Sequence, residues 1–402
     1  MQPVDPRTLT INGGSSSIKF ALFEGDDLRR VVEGTISRIG LSEATLRVEG
    51  ANPADNESRP LPVPDYDAVV CALMDWVGSH SWCDRLTAVG HRVVHGGPKY
   101  TEPLRISVEV VEELRQFSPF DPEHMPQELL LIEALQQRFP GLPQVGCFDT
   151  AFHQDLPPVA RTLPIPRRYQ AEGIRRYRFH GLSFAYLLEE FERKAGVDAA
   201  QGRLVLAHLG SGASMAAVRG GRCVDTTMGL TPAAGLVMNT RTGDIDPGVL
   251  IYLARAERLS ADQLEDLVTH DSGLLGVSET SSDMRDLLDR QASDPRAAEA
   301  IELFCYQARK WVGALAAALG GLDALVISGG IGENAPGIRA RVCDGLDFLG
   351  VRLDPVANAV NASQISTATG TVAVRVIPAD EELMIAKMAS RVLKVGRKME
   401  DL

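Results

Sequence analysis

The 402-residue sequence has no long apolar run, no clustered cysteines and no excess of positive charge. Its longest apolar region, around residues 312–327, is interrupted by glycines and an aspartate, so it does not read as a membrane span. The six cysteines are scattered without a CxxC pair, which indicates reduced thiols and not a disulfide framework or a zinc site. A net charge of −12 argues against nucleic acid as the main partner, because a phosphate backbone needs a basic face. The first ten residues have neither a basic start nor an apolar core, so we expect no signal peptide and a cytoplasmic location.

What the sequence does contain is an alternation of strand-like and helix-like segments, which is typical of an α/β protein. Strands are predicted at 8–12, 17–24, 87–94, 144–149, 204–209, 213–218, 324–329 and 372–377. Helices are predicted at 67–79, 127–138, 183–194, 261–270, 296–319, 336–347 and 381–394. Residues 51–65 are predicted to form a loop from their proline- and asparagine-rich composition. A chain of this length exceeds a single core, so we expect two domains.

Two distant segments share one plan. Residues 9–25 and 204–221 each contain an apolar run, a Gly/Ser turn, a second apolar run and another turn. Such an echo predicts duplicated domains that face each other across a cleft. Two unrelated hairpins are the alternative explanation.

The first of these turns, TINGGSSSIKF at 10–20, is rich in groups that bind phosphate. It is not a Walker A loop, because its glycines come first and are followed by alternating apolar residues typical of a strand. We therefore predict strand, turn and strand, with Gly13 and Gly14 adopting positive φ and the turn N–H groups forming an anion nest. Hydroxyl and ammonium donors at Ser15, Ser17 and Lys19 would add to it. An ordinary Ser/Gly hairpin turn is the alternative.

Nine motifs in order extend this picture. They are the Asn12–Lys19 turn, GHRVVHGG (90–97), DTAFH (149–153), FHGLS (179–183), HLGSGAS (208–214), TRTGDIDPG (240–248), SSDMRD (281–286), GGIGEN (329–334) and EELMIA (381–386). With them the chain resembles the acetate kinase family of short-chain carboxylate kinases, from about residue 8 to about residue 390. The resemblance implies a duplicated actin/sugar-kinase-like (ribonuclease H-like) α/β fold with an interdomain ATP cleft. Its first domain would span 1–150, with the C-terminal helix 381–395 packing back on it, and its second would span 151–380.

The resemblance also implies a reaction, the reversible transfer of the ATP γ-phosphoryl group to acetate, giving acetyl phosphate and ADP. Magnesium would be the metal, with manganese as its substitute. Propionate, butyrate or another short carboxylate is the alternative acceptor, and an inactive actin-like nucleotide-binding module is the alternative from another class. No nucleic acid or membrane partner is implied. The resemblance also implies a homodimer, with the apolar helix 304–319 as the candidate interface.

Catalytic roles follow from the chemistry of the matched residues. Arg92 and Arg241 would grip the substrate carboxylate and the transferring phosphoryl group, since a guanidinium fork meets planar oxyanions bidentately. His180 would hydrogen-bond the phosphoryl oxygens. Asp149 would orient the substrate, act as a base or hold magnesium; a carboxylate substrate is already ionised, which favours orientation or metal binding. For the metal itself, the resemblance points to Asn12 and Glu381.

The remaining site residues are implied by the resemblance alone. The nucleotide would contact Ser15, Ser17, Lys19, His208, Leu209, Gly210, Ser211, Gly212, Asp283, Met284, Arg285, Gly330, Ile331, Gly332, Glu333 and Asn334. The acceptor pocket would include Arg92, Val94, Glu123, His124 and Pro232.

This chain departs from the family at several of these positions. Ser211 replaces an Asn and Met284 a Phe, both near the nucleotide. The segment 123–128 matches Leu-His-Asn-Pro-Ala-Asn only at His124 and Pro126, so that Glu123 stands where a leucine lines the acetate methyl pocket. A carboxylate there would repel another carboxylate unless protonated, paired or turned away. Our hypothesis is that Glu123 points outward or pairs with a nearby arginine, and that acceptor preference is altered.

Overall fold

A computed structural model describes residues 5–14, 16–40, 44–62 and 65–400 of the chain, the last six of these as backbone only. It divides into two compact units, Met1–Phe152 with Asp380–Leu402, and His153–Ala379. The mixed α/β class predicted from the sequence is confirmed. None of the helices in the described residues is long and apolar enough to cross a membrane.

The first unit contains one sheet and four helices among its described residues. Its strands are β1 (Arg7–Gly13), β2 (Ser17–Glu24), β3 (Arg29–Ser37), β4 (Ala44–Gly50), β5 (Glu57–Leu61), β6 (Leu86–Val93), β7 (Leu104–Arg105) and β8 (Gln144–Phe148). Its helices are α1 (Tyr66–Gly78), α2 (Val108–Arg115), α3 (Met125–Arg138) and, from the end of the chain, α16 (Glu381–Glu400).

The second unit contains a smaller sheet and the remaining helices. Its strands are β9 (Arg203–Leu209), β10 (Ala213–Arg219), β11 (Arg222–Thr226), β12 (Ala324–Ser328) and β13 (Ala373–Val376). Its helices are α4 (Pro158–Arg161), α5 (Arg167–Ala171), α6 (Gly181–Ala195), α7 (Val197–Ala200), α8 (Pro247–Ala256), α9 (Ala261–Thr269), α10 (Gly273–Ser278), α11 (Met284–Arg290), α12 (Pro295–Leu319), α13 (Gly329–Asn334), α14 (Pro336–Cys343) and α15 (Pro355–Ala359).

The two sheets share a strand order. The larger sheet runs β5-β4-β3-β2-β1-β6-β8-β7, and the smaller runs β11-β10-β9-β12-β13. In each, an antiparallel meander of three strands is followed by two strands parallel to its first member: β3-β2-β1 then β6 and β8, and β11-β10-β9 then β12 and β13. The hairpin echo in the sequence therefore belongs to a repeat of the whole sheet core, as expected of a duplicated fold.

The opening hairpin forms as predicted, but its glycines act differently. β1 and β2 are antiparallel, with Gly13 opposite Ile18, and Gly14 N donates to Ser17 O at 2.8 Å. Gly13 and Gly14 do not adopt positive φ, so that expectation is wrong. Gly13 is needed for space, because a Cβ there would lie 2.7 Å from Leu131 Cδ1. Ser15 lies outside the described residues.

Three further expectations need correction. The predicted loop at 51–65 contains strand β5. GGIGEN, which falls outside the predicted helices, is itself helix α13. The apolar side chains of 304–319, the candidate dimer interface, are mostly interior: Phe304, Cys305, Ala308, Val312, Leu315, Ala316 and Leu319 are buried. Helix α12 is thus a core helix of its unit, and its apolar face is not free for a partner.

Candidate active site

The first cluster of site residues lies where two parallel strands of the larger sheet end. Arg92 is the penultimate residue of β6, and Asp149 follows directly after β8. Because neighbouring parallel strands end at the same edge of a sheet, the two side chains meet there. Arg92 donates from Nε and from Nη2 to Asp149 Oδ2, at 3.0 and 2.8 Å. Asp149 is buried, with 1% of its side chain exposed, and Arg92 is largely shielded, with 12% exposed.

A third charged residue completes this cluster. Glu128 on α3 accepts from Arg92 Nη1 at 3.2 Å, while its other oxygen accepts from Val94 N at 2.7 Å. Arg92 Nη1 also donates to Gly13 O at 3.0 Å. Glu128 was not among the site residues predicted from sequence. In the sequence it reads as an ordinary acid in the first turn of a helix, where a carboxylate favours the dipole.

Burial and charge act in opposite directions on this cluster. Burial alone would lower the pKa of Arg92, but the charges of Asp149 and Glu128 outweigh it and raise that pKa, so Arg92 stays protonated. Burial raises the pKa of Glu128 well above its usual range, against the opposing effects of Arg92 and the Val94 N–H. The cluster is therefore a fixed guanidinium held by two carboxylates, one of which is reluctant to ionise.

The predicted metal ligands also meet. Asn12 on β1 donates from Nδ2 to Glu381 Oε2 at 2.9 Å and to Glu382 Oε1 at 3.2 Å. Burial raises the pKa of Glu382, with Lys19 opposing and Glu381 adding to the rise. Amide and carboxylate oxygens are the donors that magnesium takes, and one or two suffice because the ion keeps most of its waters. The residues thus fit the ion, although no group of three or more His, Cys, Asp or Glu in the described part of the chain could hold a metal alone. Glu382 was missed from the sequence, where only its neighbour matched a motif.

The walls of the predicted acceptor pocket differ in character. Val94 is buried, and Pro232, in the second unit, is half-buried. His124 is held from two sides by Asp121 Oδ1, which accepts from its backbone N at 3.1 Å and lies 2.9 Å from its Nδ1. Glu123 is half-buried with Oε1 shielded from solvent, so this carboxylate does not point fully outward. Its pairing with an arginine stays a prediction.

In the second unit, a glycine turn between β9 and β10 gathers the other predicted catalytic groups. A Cβ built on Gly212 would lie 3.1 Å from His180 Nε2 and 3.7 Å from Arg241 Nη1. His180 precedes α6 with φ of 59°, a left-handed conformation that is unusual for histidine. Its Nδ1 lies 2.8 Å from Ser214 Oγ, which orients the ring. Two candidate phosphoryl-binding groups therefore approach the same turn.

His208 joins this group. Its ring centroid is 4.7 Å from that of His180, and its Nδ1 lies 2.8 Å from the buried Ser183 Oγ. The turn itself closes by Gly210 N donating to Gly212 O at 3.1 Å. Leu209 is buried and Ser211 exposed, so only the latter presents its side chain to solvent.

Comparison with known proteins agrees with these motifs. The chain is 46% identical to the acetate kinase of Rhodopseudomonas palustris over 398 residues, which cover 97% of this chain and 99% of that one. It is 41% identical to the propionate kinase of Citrobacter rodentium, with 96% of each chain covered. The crystal structure of Porphyromonas gingivalis acetate kinase matches with a TM-score of 0.86 at 36% identity, covering 96% of this chain and all of that one. The model of the Acetokinase family matches residues 7–387. The chain belongs to the acetokinase family.

Most residues of the acetokinase segment GGIGEN have a structural role that explains their identity. Glu333 Oε1 accepts from Gly329 N and Ala379 N at 2.8 and 3.0 Å, so it fixes the backbone. Gly332 has no room for a side chain, since a Cβ would lie 2.8 Å from Ile327 Cγ2. Asn334 Nδ2 donates to Gly330 O at 3.0 Å, and Ile331 is half-buried. Gly330 differs, because a Cβ built on it meets nothing within 4 Å among the described residues. That open space beside the backbone suits the close approach of a ligand.

One buried arginine anchors this acetokinase segment. Arg339 is fully buried and donates from Nη1 to the carbonyl oxygens of Gly332 and Glu333, at 2.8 and 2.9 Å. Its Nε donates to Asn358 Oδ1 at 2.8 Å. Burial lowers its pKa. These hydrogen bonds all go to neutral oxygens, so Arg339 acts as a structural clamp on the C-terminal end of α13.

The second nucleotide segment of the acetokinase motifs presents a mixed surface. Asp283 caps α11 by accepting from Arg285 N at 2.8 Å, and Arg285 Nη2 donates back to Asp283 Oδ2 at 2.6 Å. Arg285 is 87% exposed, whereas Met284 is buried. Met284 therefore has little side-chain surface to offer a nucleotide, and its backbone is the part within reach.

Proposed function

We propose that the chain transfers the γ-phosphoryl group of ATP to acetate, reversibly, giving acetyl phosphate and ADP. The observation that carries this proposal is the buried Arg92–Asp149 pair at the adjoining ends of β6 and β8, in a chain whose acetokinase match spans residues 7–387. An inactive nucleotide-binding module would have no use for such a pair. Burial of this ion pair costs desolvation free energy, which is offset only when the geometry of the pair is good.

Arg92 is the proposed ligand of the acceptor carboxylate, and Asp149 positions it. Since Asp149 Oδ2 already accepts two N–H groups of Arg92, orientation of that guanidinium is a better-supported role than that of a base. An ionised carboxylate acceptor has no proton to lose. Asp149 therefore acts through Arg92, and the reactive oxygen comes from the acceptor itself.

The second unit supplies the proposed phosphoryl ligands. His180 and Arg241 approach Gly212 from the same side, and His180 is oriented by Ser214. Phosphoryl transfer proceeds through a loose, anionic transition state, so catalysis consists mainly of positioning and charge neutralisation. A guanidinium and an oriented imidazole are suited to that task.

The nucleotide and metal are proposed from the same motifs. Ser17 and Lys19, the 208–212 turn, residues 283–285 and residues 330–334 are the proposed ATP contacts, with Gly330 as the place of closest backbone approach. Asn12 and Glu381 would hold magnesium, or manganese, with Glu382 beside them. When bound, the ion would supply positive charge against the nucleotide phosphates. On metal binding, Asn12 and Glu381 would exchange the hydrogen bond between them for contacts to the ion.

Propionate, butyrate or a related short acid is the second candidate acceptor. The observation that favours it is Glu123, half-buried at the position where the family carries a leucine. The 41% identity to a propionate kinase is close to the 46% identity to an acetate kinase, so similarity alone does not choose between them. Within an apolar pocket one methylene is worth only about 1–3 kcal/mol.

We also propose a homodimer located in the cytoplasm. Helix α8 is a better candidate interface than α12, because none of its residues is buried although it carries Val249, Ile251 and Tyr252, which are 40%, 52% and 69% exposed. Exposed apolar side chains on one helix are typical of a covered surface. Light scattering of the full chain, beside a Tyr252→Glu variant, tests this: a dimer that the variant dissociates supports it, and a monomeric wild type contradicts it.

The reaction is tested by trapping acyl phosphate as hydroxamate, with ATP and magnesium, across acetate, propionate, butyrate and isobutyrate. Highest turnover with acetate supports the leading proposal. Turnover mainly with a longer acid keeps the chemistry and changes the acceptor. ATP binding without turnover on any acid contradicts both.

A further inference from the structure

The hydrogen bonds of Arg92 leave little of its guanidinium for a substrate. A guanidinium carries five N–H donors. Within the described residues, Asp149 takes one from Nε and one from Nη2, while Gly13 O and Glu128 take the two on Nη1. One N–H on Nη2 remains. A bidentate grip on a carboxylate through both terminal nitrogens therefore requires Nη1 to give up a present partner.

Glu128 is the partner that competes on equal chemical terms. It presents to Nη1 the same group as the acceptor, a carboxylate, whereas Gly13 presents a backbone carbonyl. The 3.2 Å contact to Glu128 is the longest of the four that Arg92 makes. Asp149, by contrast, binds through two shorter contacts on the other edge of the fork. The Glu128 contact is thus the one most readily exchanged.

Glu128 is at the same time rigidly placed. It is 1% exposed, and its other oxygen accepts from Val94 N at 2.7 Å. A Cβ built on Gly13 would lie 3.7 Å from Glu128 Cγ and 3.3 Å from the Tyr66 hydroxyl, so the wall around it is tight. A carboxylate fixed in this way cannot swing aside when a substrate arrives. The Glu128 and acceptor carboxylates therefore compete for the N–H groups of Arg92 Nη1.

We propose that Glu128 is a positioning residue that holds Arg92 Nη1 in the absence of acceptor and competes with the acceptor carboxylate for it, which raises the KM for the acceptor. The inference rests on the proposed role of Arg92 as acceptor ligand. It concerns this chain in particular, because Glu128 falls on the final Asn of the family segment Leu-His-Asn-Pro-Ala-Asn. An amide there would carry no charge against the acceptor.

Protonation of Glu128 would end the competition, so acceptor binding should respond to pH. The charged and titratable groups facing Glu128 are Arg92, Asp121, Asp149 and Tyr66. Of these, Arg92 favours the ionised form, and the two aspartates disfavour it. Short carboxylate acceptors are ionised throughout pH 6 to 9, so they contribute no change of their own there. The expected sign is a KM for the acceptor that rises with pH as Glu128 ionises.

The test is steady-state kinetics of Glu128→Gln. The amide keeps an oxygen for Val94 N but presents N–H groups to Arg92, which frees Nη1. We expect the KM for acetate at pH 8 to fall roughly tenfold, since a charge-assisted hydrogen bond no longer has to be displaced. The KM for MgATP should change less than about twofold. The rise of the acceptor KM with pH should disappear.

Glu133→Gln is the matched control, because Glu133 lies on the same helix and pairs with the exposed Arg115. It should leave both KM values unchanged. An acceptor KM in Glu128→Gln that is unchanged or higher overturns the inference and leaves Glu128 as a structural cap for Val94 N. If the Gln variant does not fold, Glu128→Asn carries the same expectation. If neither folds, Glu128→Asp, which draws the carboxylate back from Arg92 by one methylene, should lower the acceptor KM, and an unchanged or higher KM overturns the proposal.

These outcomes are distinct from failure of the proposed function. A wild-type chain without turnover on any short carboxylate removes the reaction, and with it the basis of this inference. A wild-type chain that turns over acetate while Glu128→Gln behaves identically removes only the role of Glu128.

Discussion

A single oxygen of Asp149, Oδ2, accepts two hydrogen bonds from Arg92, at 3.0 Å from Nε and 2.8 Å from Nη2. This arrangement fixes the rotation of the guanidinium about its long axis and directs Nη1 toward Gly13 and Glu128. Neither residue could do this alone, because a lone arginine side chain has many rotamers to lose. The pair converts a flexible cation into an oriented anion ligand.

Asp149→Asn should therefore lower kcat/KM for the acceptor by about 100-fold, since a small misplacement of a positioning group costs that much. The amide oxygen still accepts a hydrogen bond, but the negative charge of the carboxylate, which holds Arg92, is lost. The KM for MgATP should change little. Asp155→Asn is the control, because Asp155 lies 3.8 Å from Arg222 in an exposed pair and such pairs contribute little. Equal kinetics for both variants would mean that Glu128 and Gly13 suffice to orient Arg92.

Gly212→Ala should lower kcat roughly 10- to 100-fold with little loss of stability. The added Cβ would lie 3.1 Å from His180 Nε2, so the imidazole must shift by a few tenths of an ångström. Steady-state kinetics and the melting temperature measure the two effects separately. Gly313→Ala is the control: its Cβ meets nothing within 4 Å, and alanine is favoured there by about 1 kcal/mol as a helix former. A wild-type kcat in Gly212→Ala would contradict the proposed role of His180 as a ligand of the phosphoryl group.

Gly330→Ala should raise the KM for MgATP about tenfold and leave folding and the acceptor KM unchanged. The protein offers open space for the methyl group, so any cost must come from a ligand that uses that space. Gly337→Ala, also with nothing within 4 Å, is the matched control on the next helix. A normal MgATP KM in Gly330→Ala would place the nucleotide away from this backbone.

Much of the fold follows from local patterns, and the failures have local causes too. The β1–β2 hairpin was predicted because Ile18, Phe20 and Leu22 alternate with period two, and all three are buried. Strand β5 was missed because its sequence, ESRPL, is charged and contains a proline. It lies at the sheet edge, where Pro60 need not donate to a further strand. An edge strand forms because it pairs with the neighbouring strand, so its own composition predicts it poorly.

The candidate site shows the same division. Arg92 and Asp149 could be selected from motifs, and their strands run parallel in adjoining positions. Glu128 and Glu382 could not, because each owes its importance to burial against a residue distant in sequence. For Glu128 that burial comes from helix α3 packing beside the end of β6, which sets a carboxylate against Arg92 and Val94. Only three-dimensional packing carries such information.

Glu123→Leu should change the acceptor profile across acetate, propionate and butyrate. Replacement of this half-buried carboxylate by the leucine that the family carries there changes the contacts of the acceptor's alkyl chain, which are worth about 1–3 kcal/mol per methylene. The hydroxamate assay gives kcat/KM for each acid. Glu123→Gln separates charge from shape, since it removes only the charge. A Glu123→Leu profile equal to wild type would exclude this residue from acceptor selection.

The free energy of unfolding should fall as pH drops from 6.5 toward 4, partly because of His91. This imidazole is buried on β6, with Nε2 at 2.6 Å from Gln144 Oε1. Burial lowers its pKa to about 4, against the opposing effect of Gln144. Between about pH 6.5 and that value the unfolded chain binds a proton that the folded chain refuses. Folding therefore loses about 1.4 kcal/mol per pH unit for this group, or about 2 kcal/mol between pH 6.5 and 5.

His91→Gln removes that titration and keeps an amide opposite Gln144, so its stability should depend less steeply on pH. The measurement is urea unfolding of wild type and variant at pH 7.5 and 5, compared as a difference so that other titrating groups cancel. The exposed His270, changed to Gln, is the control for a histidine replaced outside the buried sheet. Identical slopes for wild type and His91→Gln would mean that the folded chain protonates His91 as readily as the unfolded chain does. Gln144 Oε1 would then have to accept a hydrogen bond from an imidazolium buried within the sheet.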